Sequence, residues 1–371
     1  MNTIVFISVV CILLLLINRG NIKYKHRSLC AVFIFITVFL GIRYMFGSDY
    51  ISYLYQYNII KQGVDYSYSW YESILYNETP SEPGWVLLNR CFSSSSFTLL
   101  VFVLTVFECY ILYKYIRKHV TPCWYWLSIF LFMVNPSNML TCISMMRQYL
   151  AMTIFLIAIK YIITGKFIKY FILILTATFI HTSSIVLLPV YFLRKINLSF
   201  LNKKTVVYII ILFFVIWYIW GAGLFGGMIN NLLGLGIFQR YALYANNDTE
   251  AISLGFSTVL YVLLFYHGIN VIKNSTREEA ILILIPLIGL LILPLGVNIS
   301  LISRLSFYFT YALIFVIPII FDKIKRREIR YLLILMMLAF YINSFISFFN
   351  SPTNLGTYSK YQTIFSTDLI L

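Results

Sequence analysis

Long apolar runs alternate with short polar or basic connectors along almost the whole chain. A helix needs roughly 17 to 25 apolar residues to cross the hydrocarbon core of a bilayer, and runs close to that length recur from the beginning of the chain to its end. The polar positions collect in the connectors between these runs. This pattern predicts an all-α polytopic integral membrane protein with about 11 to 12 transmembrane segments.

The composition excludes a soluble domain. Of the 371 residues, 61% are hydrophobic and 11% are charged, whereas soluble domains are about 25% charged. The net charge of +15 comes from Lys and Arg residues spread over the connectors, so we expect no nucleic-acid partner. The six cysteines and four histidines lack the spacing of metal or redox sites, and we expect no metal and no cofactor.

The basic connectors predict which side of the membrane each loop faces. Clusters of Lys and Arg mark cytoplasmic loops, and they recur around Lys114, Lys166, Arg194, Lys273 and Lys323. The remaining connectors then lie outside. We therefore predict a single membrane domain, 1–371, with three outer segments: a large loop at 47–96, a second loop at 221–253 and a tail at 350–371.

One apolar run does not fit a single crossing. The segment 167–193 is basic at both ends and is interrupted by His181 and the three hydroxyl side chains that follow it. We predict two short helices that meet at His181, below the outer membrane surface. Such a break requires protein or a water-filled cavity around the freed backbone groups.

Some arginines depart from the positive-inside pattern because they are predicted at the outer ends of spans or in outer loops. They are Arg43, Arg147, Arg240 and Arg304. Each could merely anchor a helix at the interface. Together with His181 at the same predicted level, they favour a site for an anionic ligand, because the guanidinium fork suits phosphate and carboxylate oxygens.

The large outer loop is rich in acidic and aromatic residues. Asp49 and Glu82 lie there among many tyrosines and tryptophans, including Tyr53 and Trp85. Carboxylates among aromatic rings suit the hydroxyl groups and C–H faces of sugars. By composition alone, an aromatic belt at the membrane interface is the better explanation, so the tyrosines serve only as support for a sugar site.

Five short motifs lie in order along the chain: Gly41-Ile-Arg43-x-x-x-Gly47-x-Asp49-Tyr50-x-x-Tyr53, Glu82-Pro83-Gly84-Trp85, Arg147-Gln148, Phe179-Ile-His181-Thr-Ser183 and, more weakly, Gln239-Arg240-Tyr241-x-x-Tyr244. In order, spacing and sidedness they resemble the Wzy/EpsG family of polysaccharide polymerases. The resemblance runs from about residue 40 to about residue 310 and does not include a pattern around Arg304.

The resemblance implies a glycosyltransferase in the bacterial inner (plasma) membrane. Its outer loops would cap a cavity, as in polytopic glycosyltransferases that use lipid-linked donors. Such an O-antigen or exopolysaccharide polymerase would transfer a growing glycan from undecaprenyl pyrophosphate to the non-reducing end of a new lipid-linked repeat unit, on the periplasmic face, as in lipopolysaccharide biosynthesis. The expected partners are the undecaprenyl-pyrophosphate-linked oligosaccharide, membrane lipid and a chain-length regulator of the Wzz type.

On this hypothesis the candidate residues fall into three groups. The candidate catalytic bases are His181, Asp49 and Glu82, although His181 could instead satisfy backbone groups at the break and Asp49 could orient Arg43. We assign Arg147 and Arg240 to the pyrophosphate, with Arg43 or Arg304 as the third contact. The residues expected to bind glycan are Tyr53, Trp85, Gln148 and Tyr244.

Three other classes of protein remain open. A flippase for lipid-linked oligosaccharides would share the many spans, but it is expected to show internal repeats, and we find none. A glycan-modifying acyltransferase should place its histidine and arginines toward the cytoplasm. An O-antigen ligase uses the same donor, and the sequence barely separates it from a polymerase.

Overall fold

The computed structural model describes residues 2–17, 21–75, 81–198, 203–221, 256–293, 300–358 and 360–366. These residues form two compact units, which we describe separately. The first comprises residues 1–188 and 341–371, and the second comprises residues 189–340. The described part of the chain is almost entirely helical, which confirms the predicted all-α membrane class.

The helices up to the predicted break are α1 Asn2–Ile17, α2 Ile22–Gly41, α3 Tyr50–Asp65, α4 Trp70–Leu75, α5 Pro83–Cys91, α6 Phe97–His119, α7 Tyr125–Val134, α8 Pro136–Ser144, α9 Met146–Thr164 and α10 Phe167–Ile180. A 3₁₀ segment, Thr182–Lys195, follows. The later helices are α11 Lys203–Gly221, α12 Phe256–Ile272, α13 Arg277–Ile292, α14 Ser300–Thr310, α15 Leu313–Lys323, α16 Arg327–Asn350 and α17 Pro352–Tyr358.

By length and composition, four described helices can cross a membrane: α2, α6, α9 and α16. Two bent pairs, α7 with α8 and α14 with α15, raise the number to six if each pair is one crossing. The bends are 60° and 45°. The described residues therefore give four to six candidate crossings, and shorter apolar helices such as α10 and α12 lie beside them.

The polar residues between the apolar runs define the helix ends. The Ser96 side chain accepts a hydrogen bond from the Leu99 backbone N–H at the start of α6. At the end of α9, Gly165 adopts the left-handed conformation (φ 74°) that glycine reaches without strain. In the second unit, Thr276 and Glu279 form a capping box at the start of α13.

The predicted break at His181 is confirmed. Helix α10 ends at Ile180, His181 is extended (φ −149°, ψ 107°), and the 3₁₀ segment begins at Thr182. Further along this segment Pro189 has no N–H to donate, which is compatible with the departure from regular α-helix. The break therefore presents a histidine between two helical pieces.

The large outer loop, predicted at 47–96, contains the helices α3, α4 and α5. The tail returns to this loop and adds the only sheet among the described residues, in which Arg43–Tyr44 (β1) pairs antiparallel with Gln362–Thr363 (β2). The Ser144 and Tyr358 hydroxyls are 2.7 Å apart and fix the tail against the end of α8. Of the predicted second outer loop, 221–253, only Gly221 lies within the described residues.

Candidate functional site

A carboxylate at the start of α5 joins three parts of the first unit. One oxygen of Glu82, Oε2, forms an ion pair with Nη1 of Arg147 at the start of α9. The other oxygen, Oε1, lies 3.2 Å from Nδ1 of His181 and accepts a hydrogen bond of 3.3 Å from the Thr182 backbone N–H. Residues that are 65 to 100 positions apart in sequence therefore meet at one side chain.

This site is partly open. The side chains of Arg147, Glu82 and His181 are 22%, 17% and 24% exposed, respectively. These fractions are small enough to keep electrostatic interactions strong and large enough for a ligand to reach the groups. We refer to Glu82, Arg147 and His181 as the outer cluster.

A close helix approach positions the outer cluster. Gly84, in the first turn of α5, lies against the backbone of Phe179 near the end of α10. A Cβ atom at residue 84 would be 2.8 Å from the carbonyl carbon and oxygen of Phe179. Only glycine therefore lets α5 lie close enough for Glu82 to reach His181 and Thr182.

The surroundings of Glu82 keep it ionised. Burial by itself would raise the pKa of Glu82, but the hydrogen bond with His181 and the charge of Arg147 outweigh burial and lower the pKa to about 2. At neutral pH both carboxylate oxygens are therefore acceptors, so the Nδ1 atom of His181 must carry the proton that it shares with Oε1. In a neutral His181 this leaves Nε2 as the basic nitrogen.

Aromatic side chains pack against Arg147. Its guanidinium carbon lies 5.5 Å from the centroid of the Tyr53 ring. The Tyr53 ring contacts Trp85 edge-on, with centroids 5.3 Å apart. Both aromatic residues are buried, at 5% and 0% exposure, so in this structure they support Arg147 and present little surface for a sugar to stack on.

Asp49 lies one helical turn from Tyr53, at the N-cap position of α3. Its carboxylate accepts a hydrogen bond of 2.9 Å from the Ser48 hydroxyl. Its charge also acts on Tyr53, so it lies close to the aromatic support of Arg147. The structure thus gathers Asp49, Tyr53, Glu82, Arg147 and His181 in one region.

Arg43 lies in a different environment. It is 2% exposed, and its guanidinium donates hydrogen bonds to the carbonyl oxygen of Leu40, to Oγ1 of Thr105 (3.1 Å) and to the carbonyl oxygen of Cys142 (3.4 Å). The buried carboxyl of Glu108 interacts with its charge. These partners tie α2, α6 and α8 together, a positioning role that differs from the direct pyrophosphate contact suggested by the sequence.

The other candidate residues are less closely connected to the outer cluster. Gln148 follows Arg147 on α9 and is buried. Arg304 is half-buried on α14 in the second unit. Arg240 and Tyr244 lie outside the described residues.

Sequence reasoning missed two structural contributors in the first unit. Glu108 is an acidic residue in the middle of the apolar helix α6, and that position alone is a signal, since charges inside spans rarely occur without a partner. Beyond the predicted break, nothing in the sequence indicated that the backbone N–H of Thr182 would donate a hydrogen bond to Glu82. In the described part of the chain, no group of three or more His, Cys, Asp or Glu side chains has the arrangement of a metal site.

The fold and the outer cluster define a multi-pass membrane protein with a partly enclosed, charged site on non-contiguous helices. Comparison with protein families is more specific: the EpsG family model matches residues 26–363. The chain therefore belongs to the EpsG family, whose members are polysaccharide polymerases, and the match extends beyond the 40–310 range of the resemblance. No curated protein and no solved structure matches the chain.

Proposed function

We propose that this protein polymerises lipid-linked oligosaccharide repeat units at the outer face of the bacterial inner membrane. Family membership supports polysaccharide polymerisation in general. The outer cluster supports the finer assignment, because it combines a cation for a phosphorylated leaving group with an oriented base. The donor would be an undecaprenyl-pyrophosphate-linked glycan, and the product would be an O-antigen or a related surface polysaccharide.

Arg147 is the proposed pyrophosphate contact. Glu82 holds one Nη group, and Nε has no hydrogen-bond partner among the described residues although it is buried. A guanidinium has five N–H donors, so Arg147 can hold Glu82 and still donate to a phosphate oxygen. A fixed cation at this place stabilises the charge that develops on the departing pyrophosphate.

His181 is the proposed base. In the transfer step the bond between the anomeric carbon of the donor sugar and the pyrophosphate oxygen breaks, and the acceptor hydroxyl oxygen forms the new bond to that carbon. The hydroxyl proton passes to Nε2 of His181, and undecaprenyl pyrophosphate leaves as the anion. Glu82 stabilises the resulting imidazolium through Nδ1, as a carboxylate does behind a catalytic histidine.

The remaining candidates take supporting roles in this proposal. Asp49 and Tyr53 position Arg147, whereas Trp85, Gln148 and Tyr244 stay as candidate glycan contacts. Arg43 positions α2 against α6 and α8. Arg240 and Arg304 stay as candidate second pyrophosphate contacts, and a Wzz-type regulator stays the expected protein partner.

Surface glycan from a deletion strain tests the proposal. The strain is complemented with wild type, Arg147→Lys, His181→Ala or the control Lys166→Ala, and the glycan is run as a ladder. Lys166 is an exposed residue in a predicted cytoplasmic connector. We expect a single repeat unit in the deletion strain, a full ladder with wild type and the control, and a loss of polymerisation of roughly 100-fold or more in both site variants, since each removes a group that acts in the transition state.

The ladder also separates the alternatives. If the deletion prevents any repeat unit from reaching the surface, a flippase or ligase is the better hypothesis. Loss of acyl groups with an unchanged ladder would favour an acyltransferase. Full activity of a normally inserted Arg147→Lys protein would exclude the pyrophosphate clamp, because lysine keeps the charge but lacks the bidentate fork.

A further inference from the structure

The second unit contains a cavity of about 590 Å³ that plays no part in the proposed chemistry. It lies between the end of α12 and the connector that joins α15 to α16. Polar and cationic side chains line it: His267, Asn270, Asn274, Lys323, Lys325 and Arg326. We refer to it as the basic cavity.

Part of the basic cavity is held rigidly. The ammonium group of Lys323 forms an ion pair with Glu279 of the capping box that starts α13 and a hydrogen bond of 3.3 Å to the Ser275 hydroxyl. Glu279 thus neutralises one of the three cations and fixes its position. The connector after α15 is therefore anchored to the start of α13.

The other two cations have no such partner. Among the described residues, neither Lys325 nor Arg326 forms an ion pair, and both are exposed. The side-chain amides of Asn270 and Asn274 also have no hydrogen-bond partner in the described part of the chain. Two free cations and two amide groups thus share one concave surface, a combination of donors that suits the oxygens of a phosphate group.

The predicted topology places this cavity at the cytoplasmic ends of the spans, since the connectors 273–277 and 323–330 are both basic. The structure brings these two connectors together, as expected if both lie on one side of the membrane. Basic pockets at that level commonly bind the head groups of anionic lipids. A volume of this size is also in the range of pockets that enclose small ligands.

We propose that the basic cavity binds a phosphate group, supplied by the head group of an anionic phospholipid or by a soluble phosphate ester, and that Lys325 and Arg326 are its main contacts. This site is independent of the proposed polymerase chemistry. Its ligand would tie the α15–α16 connector to α12 and so stabilise the second unit.

The experiment uses the full-length protein in phosphatidylcholine nanodiscs. Binding of phosphatidylglycerol is measured by native mass spectrometry, and binding of glycerol 3-phosphate is measured separately by a shift in melting temperature. The test variant is Lys325→Gln/Arg326→Gln. The matched control, Lys23→Gln/Arg27→Gln, removes one lysine and one arginine from another basic connector, in the first unit.

We expect phosphatidylglycerol to bind the test variant about 25-fold more weakly than wild type, at about fivefold per charge near the membrane surface, while the control and the exchange Lys325→Arg/Arg326→Lys stay within about threefold. If phosphatidylglycerol, but not glycerol 3-phosphate, binds the test variant more weakly than the control, the ligand is a lipid head group. Binding of glycerol 3-phosphate that is lost in the test variant identifies a soluble phosphate ester. If neither ligand distinguishes the test variant from the control, the proposal is wrong and these charges serve only topology.

Discussion

Two arginines of the first unit, Arg43 and Arg147, have the same side chain and contrasting surroundings. Arg43 is enclosed, and its guanidinium donates hydrogen bonds to backbone carbonyls and a threonine hydroxyl. Arg147 is partly exposed and is paired with a carboxylate that also holds a histidine. A ligand cannot replace the carbonyl groups of the core, whereas an incoming phosphate can share a guanidinium with Glu82. Exposure and type of partner therefore separate a positioning arginine from a candidate binding arginine.

The largest expected effect is a difference in stability between two single variants, in which each arginine in turn is replaced by methionine. Arg43→Met leaves the carbonyls of Leu40 and Cys142 buried without their donor, so we expect a loss of about 1 to 3 kcal/mol in the free energy of unfolding for each of them. In Arg147→Met, Glu82 keeps its contacts with His181 and the Thr182 backbone N–H, so we expect a smaller loss of stability than in Arg43→Met, although polymerisation is lost. Melting curves with a thiol-reactive dye can measure this difference, because Cys109 and Cys142 are buried in the folded protein.

The double variant Arg43→Met/Glu108→Leu is the control for this comparison. Removing both side chains together should recover part of the stability that Arg43→Met loses, because an apolar side chain then replaces the buried Glu108 carboxyl. If Arg43→Met melts like wild type and loses only polymer, then Arg43 contacts substrate after all. The contrast between the two arginines would then be wrong.

A smaller effect is expected from one methyl group at the outer cluster. In Gly84→Ala the new Cβ would overlap the backbone of Phe179, so α5 must move away and Glu82 must retract from His181. Displacements of about 1 Å at a reacting centre can lower rates about 100-fold. We therefore expect a 10- to 100-fold loss of polymer with normal insertion, read from the ladder.

Gly356→Ala is the matched control, since a Cβ at Gly356 meets nothing within 4 Å. It should leave the ladder unchanged. Equal losses in both variants would indicate a general effect of replacing glycine and would remove the argument that close packing of α5 on α10 positions Glu82.

The sequence predicted the helical class and the broken helix, but not the contacts within the outer cluster. His181 was recognisable because a histidine followed by hydroxyl residues interrupts an apolar run, and the broken helix follows from that pattern. Glu82 and Arg147 were recognisable as charges at predicted span ends. Their contacts were not, because a pairing between residues 82 and 181 depends on how α5 packs on α10, which one glycine permits.

Burial was the other property that the sequence could not supply. Arg43, Tyr53 and Trp85 lie in a predicted outer loop or at a predicted span end, so hydropathy predicts them to be accessible. In the structure, aromatic packing and the returning tail enclose this region: Phe46, for example, contacts Tyr358 and Tyr361 edge-on. Such long-range contacts leave no periodic signal in the sequence.

The smallest expected effect concerns pH and tests the charge of Glu82. The pKa of Glu82 is lowered from 4.5 to about 2, so its ionised form stabilises the folded protein above pH 4.5, and this contribution is lost as the pH falls from about 4.5 toward 2. The difference in melting temperature between wild type and Glu82→Gln should therefore stay constant from pH 8 to pH 5 and shrink only below pH 4.5. A difference that already shrinks between pH 7 and pH 5 would mean that Glu82 takes up a proton there, and Nδ1 of His181 would then not be held as the donor that the proposed mechanism requires.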